Sequence, residues 1–148
     1  MILIPSDFLD FLKLLSQHQV EYLLIGGYAV AYHGYVRATG DMDIFIRATE
    51  KNGERLCAVF QEFGMGQDFN PKLFCKEGQI LRLGVPPLRL EILNKISGVS
   101  FEECVNDAET LKVDTLSIPV ISLEFLLLNK KASGRDKDLI DVKRLERE

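Results

Sequence analysis

The run Asp41-Met-Asp-Ile-Phe-Ile46 constrains this chain more than any other stretch. Its period of two places Met42, Ile44 and Ile46 on one face of a strand and Asp41, Asp43 and Phe45 on the other. One face therefore suits a core, while the other carries two neighbouring carboxylates roughly 6–7 Å apart along the backbone. Like charges so placed repel and raise one of the two pKa values, unless a cation or an arginine lies beside them. A pair of divalent ions about 3.5–4 Å apart, held by such carboxylates, is what phosphoryl or nucleotidyl transfer uses to neutralise the attacking and leaving oxygens. Asp-x-Asp alone is weak evidence, since solvated strands and calcium loops also contain it. Calcium is disfavoured because the candidate ligands lie on strands instead of one contiguous loop.

The surroundings of the pair are more informative. Tyr22–Ile25 reads as a short buried strand that ends in Gly26-Gly27. Without side chains, that turn lets phosphate oxygens approach the N–H groups that open the following helical stretch, Tyr28–Tyr32. Leu88–Leu93 reads as a further strand in which Leu90 and Ile92 share a face and Glu91 points to the other. A Gly-Gly pair alone identifies little. The order does: strand, Gly-Gly, thirteen residues, Asp-Met-Asp-Ile, and later Arg-Leu-Glu-Ile.

Around this centre the chain alternates helices and strands. Phe8, Phe11, Leu12 and Leu15 share a helical face, with Ser6 as the expected N-cap after Pro5 and an end near Gln17. Thr49 is expected to cap a helix with Leu56, Val59, Phe60 and Phe63 on its core face, closed by Gly64 and Gly66. Ile80–Val85 and Leu88–Leu93 are two strands split by Pro86-Pro87. Ser100 with Glu103 matches a capping box for a helix over Phe101–Ala108. Leu111–Ile118 supplies one or two short strands around Asp114, Ser122 starts a helix through Lys131 that Gly134 stops, and Asp136 starts a last one. The expected fold is α+β: a small mixed sheet flanked by helices in two layers, with a short C-terminal helical pair.

At 148 residues the chain fits one domain, with a core over about 20–120 and a helical tail over about 122–148. Hydrophobic content of 47% with 27% charged residues matches a globular, core-forming protein. No apolar run reaches the roughly 20 residues that cross a bilayer, and the opening residues lack the basic region of a secretory signal. Three widely spaced cysteines, Cys57, Cys75 and Cys104, fit reduced thiols, so a cytoplasmic location without membrane attachment is expected. The net charge of −4 excludes a generally basic nucleic-acid-binding surface. Seven of the 18 basic side chains nevertheless fall within residues 129–148. They could receive phosphates or form a solvated helix.

The motifs Leu24-Ile-Gly-Gly27, Arg37-Ala-Thr39-Gly-Asp41-Met-Asp43-Ile44 and Arg89-Leu-Glu91-Ile92-Leu93 resemble those of the DNA polymerase β-like nucleotidyltransferase superfamily, in particular its small bacterial, minimal members. Glu91 stands where relatives more often have Asp. The tail from Asn129 through Lys130, Gly134-Arg135, Lys137-Asp138 and Asp141 is similar to the series that ends many small members. The resemblance spans about Tyr22 to Asp141 and implies the nucleotidyltransferase fold. It also implies Mg²⁺ or Mn²⁺ on Asp41, Asp43 and Glu91, and an NTP donor placed by Gly26, Gly27, Arg37, Thr39 and Lys130. Glu91 could in addition accept the nucleophile's proton. The alternative for the carboxylates is a salt-bridged polar strand face. Arg37 could equally meet a phosphate or pin the aspartates, Thr39 could be a turn hydroxyl, and Lys130 a surface lysine beside Lys131. Asp138 and Asp141 read as an ion-pair network with Lys130 or Arg135, and His33 as a packed helix-end residue.

The expected activity is transfer of a nucleoside monophosphate to an RNA, protein or small-molecule acceptor, with release of pyrophosphate. Either the acceptor is small, or a second protomer in a homodimer or a partner protein helps to hold it. The competing expectation is a non-catalytic module of the same fold in a two-protein, toxin–antitoxin-like complex.

Overall fold

The computed structural model describes residues 3–64, 69–85 and 88–147. Gly66 and Pro86-Pro87, expected as a helix stop and a strand break, lie outside the described residues. Tyr22–Ile25 forms β1 and Asp41–Ile46 forms β2, antiparallel to it with Ile25 opposite Asp43. Leu88–Leu93 (β4) runs parallel to β2 on its other side and places Arg89 beside Asp41 and Glu91 beside Asp43. Ile80–Val85 (β3) closes that edge antiparallel to β4, with Arg82 opposite Glu91. Glu109–Val113 (β5) and Leu116–Val120 (β6) form a hairpin whose second strand lies parallel to β1. The mixed six-stranded sheet has the order β3-β4-β2-β1-β6-β5.

Six helices accompany the sheet among the described residues: α1 (Ser6–Gln17), α2 (Gly26–Tyr32), α3 (Glu50–Phe63), α4 (Phe101–Asn106), α5 (Leu123–Ser133) and α6 (Asp136–Glu146). The apolar stripe Phe8, Phe11, Leu12 and Leu15 is buried as its spacing predicts, and Phe11 meets Phe60 and Phe63 of α3. Phe60 in turn contacts Phe74, which shares a small cavity with Ile46 and Ile92. This side of the sheet is thus the one that Met42, Ile44 and Ile46 bury, all at 0% exposure. Removing such side chains from water stabilises a fold by about 1.5–3 kcal/mol each.

The other face divides in two. Phe45, on the aspartate side by strand period, is covered by Phe101 of α4 at a ring distance of 5.3 Å. Asp41 and Asp43, further along, face a cavity instead.

Several boundaries differ from the sequence expectation: α2 starts at Gly26 instead of Tyr28, β5 and β6 reach beyond Leu111 and Ile118, and α5 runs on to Ser133. Ser6 is the first helical residue and not the cap; Pro5, with ψ 146°, supplies the extended residue before the turn, and its carbonyl accepts from Leu9 N at 3.1 Å. Helix α4 ends at Asn106, short of Ala108, because β5 starts at Glu109 and two residues are needed to turn into it. Thr49 caps α3 by accepting from Asn52 N, and Ser100 and Glu103 form the full capping box. No helix among the described residues is long and apolar enough to cross a membrane.

Candidate active site

The eight site residues expected from the sequence, Gly26, Gly27, Arg37, Thr39, Asp41, Asp43, Glu91 and Lys130, all line one cavity of about 1030 Å³. Its floor is the polar end of β2, β4 and β3; its walls are the β1–α2 turn, the loop before β2, and α5 with the start of α6.

The two glycines are required by packing within the protein. Gly26 has φ +66°, and a Cβ built on it would lie 2.1 Å from Asp43 Oδ2. A Cβ on Gly27 would lie 2.4 Å from Thr39 Oγ1. Both distances are far inside van der Waals contact, so Asp43 and Thr39 occupy the space that side chains at 26 and 27 would need. Asp43 is thereby pressed against backbone at the end of β1, and Thr39, whose hydroxyl donates to the Asp41 carbonyl at 3.3 Å, braces the turn.

Charge balance on the sheet face is incomplete. Arg89 Nη2 donates to Asp41 Oδ2 at 2.9 Å, and Arg82 Nε donates to Glu91 Oε1 at 2.6 Å. Asp43 has no arginine; it hydrogen-bonds to Glu91, and its Oδ1 is buried with no partner among the described residues. Burial first, then the bond to Glu91 and that group's charge, push the Asp43 carboxyl up to about 7. Burial also opposes ionisation of Glu91, but hydrogen bonds from Asp43 and Arg82 outweigh it and hold Glu91 below its ordinary range. The two opposite shifts favour a proton on Asp43 over one on Glu91.

A second charge cluster joins the cavity wall to the loop. Lys130 is not a surface lysine: its side chain is 5% exposed, and Nζ lies 3.0 Å from both Asp138 Oδ1 and Asp141 Oδ2. Asp141 also receives both arms of Arg37, at 2.8 and 2.9 Å. Asp138 receives Ser133 Oγ at 2.8 Å and Arg135 Nε at 2.7 Å. Although burial disfavours its charge, these donors lower the Asp138 carboxyl to about 2, and the same balance lowers Asp141. Of the alternatives for Arg37, pinning the aspartates of β2 therefore gives way to pinning Asp141, and the arginine on Asp41 is Arg89. His33 caps the end of α2 and bonds the Ile121 carbonyl at 2.8 Å, a packed helix-end residue as expected.

Arg82 belongs to no motif and was not assigned from the sequence; only its register opposite Glu91 gives it a place. Lys95 and Lys137 also line the cavity without having been assigned a role.

Hard divalent ions fit this donor set by type: three carboxylates, one with an orphaned buried oxygen. As they stand, no three Asp, Glu, His or Cys side chains among the described residues converge on one point, because Asp41 and Glu91 are each turned to an arginine. An ion bound through Asp41 Oδ2 or Glu91 Oε1 displaces the arginine now on that oxygen.

Three solved structures share the fold. The Thermotoga maritima protein TM1012, described as a nucleotidyltransferase, is 16% identical with a TM-score of 0.61, covering 98% of this chain and 94% of its own. The lincosamide antibiotic adenylyltransferase LnuA, solved with lincomycin bound, is 17% identical with a TM-score of 0.58 and 97% coverage of both chains. A nucleotidyltransferase-like protein of Paracoccidioides brasiliensis is 16% identical with a TM-score of 0.60, covering 94% of this chain and 74% of its own. No curated protein sequence matches the chain. A family model described as "Nucleotidyl transferase of unknown function (DUF2204)" matches residues 5–148. With the glycine turn, the paired aspartates of β2 and the carboxylate of β4 gathered in one cavity, and the match running through nearly every described residue, the chain belongs to this family of nucleotidyl transferases.

Proposed function

We propose that the protein transfers a nucleoside monophosphate from an NTP to an acceptor hydroxyl or phosphate in a Mg²⁺- or Mn²⁺-dependent reaction. The bond from the α-phosphorus to pyrophosphate breaks as the bond to the acceptor oxygen forms. The observation that carries the reading is Asp43 in the cavity floor: its Oδ2 is held against the Gly26 backbone, and its Oδ1 is buried with no partner among the described residues. A buried carboxylate oxygen without a bonded partner is costly, and a cation is a ligand that removes the cost.

Asp41, Asp43 and Glu91 would hold the ions, which when bound neutralise charge on the attacking and leaving oxygens. Glu91, once released from Arg82, whose bond holds its basicity down, would take the proton of an acceptor hydroxyl. The Gly26-Gly27 turn would give the phosphates access to backbone N–H groups. Lys130 spends two of its three donors on Asp138 and Asp141, and from the cavity wall its third would meet a phosphate oxygen. Arg37 and Thr39 act at one remove, by fixing the loop against Gly27.

Small-molecule sites occupy roughly 300–1,000 Å³. A cavity of about 1030 Å³ suits a nucleotide with a small acceptor beside it. The neighbour LnuA is an adenylyltransferase for a lincosamide, so small hydroxylated molecules are the first acceptors to try, with RNA and protein alongside. The test is to incubate the protein with each labelled NTP, Mg²⁺ or Mn²⁺ and these acceptors. Metal-dependent transfer that Asp43→Asn abolishes supports the reading; no transfer, with metal and nucleotide binding unchanged in Asp41→Ala/Asp43→Ala, overturns it.

One observation favours a second reading, a non-catalytic module in a two-protein complex: Asp41 and Glu91 are already neutralised by Arg89 and Arg82. Such a module binds its protein partner but shows no metal-dependent NTP affinity in calorimetry.

A further inference from the structure

Viewed along the sheet, the cavity floor has two levels. On one lie Arg82, Glu91 and Asp43, with Ile25 of β1 next in line; on the other lie Gly84, Arg89 and Asp41. Past Ile25, β1 continues into Gly26-Gly27, so the glycine turn lies on the Asp41–Arg89 side of Asp43. Thr39 against Gly27 and Asp41 next to it mark the same side.

Among the arginines that line the cavity, Arg89 is the one on β4, between β2 and the edge strand, whereas Arg82 is on the edge strand itself, Arg37 in the loop before β2 and Arg135 ahead of α6. The neighbour of Arg89 on β3 is Gly84, which has no side chain, so no β3 side chain flanks its guanidinium on that level. It is also incompletely bonded: Nη2 is on Asp41, whereas Nε is buried with no partner among the described residues. An arginine fork is built to place several parallel N–H donors on a planar or tetrahedral oxyanion, and a single bond to one carboxylate oxygen leaves most of that capacity unused. The cavity floor thus holds an orphaned donor, Arg89 Nε, and an orphaned acceptor, Asp43 Oδ1, on adjacent levels. One ligand that carries both a cation and phosphate oxygens satisfies the two together.

We propose that Arg89 is a phosphate-binding residue for the donor nucleotide, held on Asp41 until a divalent cation claims that carboxylate. The inference rests on the nucleotidyl-transfer reading of the same site. Arg89 and the cation compete for Asp41, and the displaced guanidinium then turns its fork to the polyphosphate. Metal and nucleotide binding are thereby coupled through one side chain, with opposite signs: Arg89 opposes the metal when it is alone and favours the nucleotide once the metal is in place. A purely structural arginine does not act in opposite directions on two ligands.

The experiment titrates Mn²⁺ alone, followed by electron paramagnetic resonance, and then a non-hydrolysable NTP at saturating Mn²⁺, followed by calorimetry. The proteins are the wild type, Arg89→Gln and Arg89→Lys, each checked for folding by far-ultraviolet circular dichroism. Arg89→Gln is expected to bind Mn²⁺ alone at least as tightly as the wild type, and the nucleotide about tenfold or more weakly, the scale of a lost charged hydrogen bond. Arg89→Lys, which keeps the charge and loses the fork, is expected to fall between them for the nucleotide. The inference is overturned if nucleotide affinity in Arg89→Gln stays within about twofold of wild type, or if affinities for Mn²⁺ and nucleotide fall together. Should Arg89→Gln not fold, the same split read in Arg89→Lys decides. A wild-type protein that binds neither Mn²⁺ nor nucleotide fails at the transfer reading itself, whereas one that binds both without the split in Arg89→Gln fails only here.

Discussion

Two clusters of charge face the same cavity and are built on opposite terms. In the α5–α6 cluster, Asp138 and Asp141 are 1% exposed and every carboxylate oxygen has a donor among Lys130, Arg135, Ser133 and Arg37. On the sheet, three carboxylates meet two arginines, and Asp43 keeps a buried oxygen without a donor. The difference shows in the proton equilibria: Asp138 is lowered to about 2, while Asp43 is raised to about 7. A satisfied buried cluster holds structure together; an unsatisfied one costs stability and is kept for a ligand.

Asp43→Asn should break the comparison most visibly. Transfer is expected to fall on the order of 10³-fold, as when a group that stabilises developing charge is removed. The thermal midpoint of the metal-free protein should hold or rise, because an unpaired buried charge has been deleted; turnover and melting curves read the two effects. Asp141→Ala should do the reverse. It leaves Lys130 and Arg37 short of a partner and should lower stability by about 3–5 kcal/mol in urea unfolding.

The two clusters also predict opposite responses to pH. Asp138 has a folded pKa below its ordinary 3.8, so its contribution is present above about pH 4 and is lost as pH falls towards about 2. The loss is on the order of 2 kcal/mol, and urea midpoints of wild type and Asp138→Asn should converge over that range. Asp43 has a folded pKa above its ordinary 3.8, so the folded state holds its proton longer and the metal-free protein loses stability from about pH 4 up to about 7. The stabilising effect of Asp43→Asn should accordingly be larger at pH 8 than at pH 4. Ser133→Ala is the smallest expected change, about 1 kcal/mol in the same urea assay, because Asp138 keeps Lys130 and Arg135.

Much of the local structure was legible in the sequence. Tyr22–Ile25, Ile80–Val85 and Leu88–Leu93 form strands with the expected limits, and the Thr49 and Ser100 caps form as their residue types dictate. Period two also placed Asp41, Asp43 and Glu91 on faces that could meet. What period two does not contain is the neighbour: that Arg89 falls beside Asp41 and Arg82 opposite Glu91 follows from register between strands about 9 to 48 residues apart, which no local pattern encodes. Gly-Gly was read as room for phosphate, whereas the space at Gly26 and Gly27 is filled first by Asp43 and Thr39, contacts with the next strand and the loop before it. Lys130 stood open in the sequence between a phosphate ligand and a surface lysine, with Asp138 and Asp141 as possible partners, because only the packing of α6 against α5 buries it between those two carboxylates.

The tie between Arg37 and Asp141 spans 104 residues, and this orders events at the ribosome. Translation delivers the glycine turn, both aspartates and Glu91 long before α6, yet the loop carrying Arg37 and Thr39 lacks its ion pair until Asp141 leaves the exit tunnel. Until α6 is made, Lys130 faces neither Asp138 nor Asp141 and Arg37 lacks the carboxylate that holds its loop, so this wall of the cavity is completed only when α6 docks.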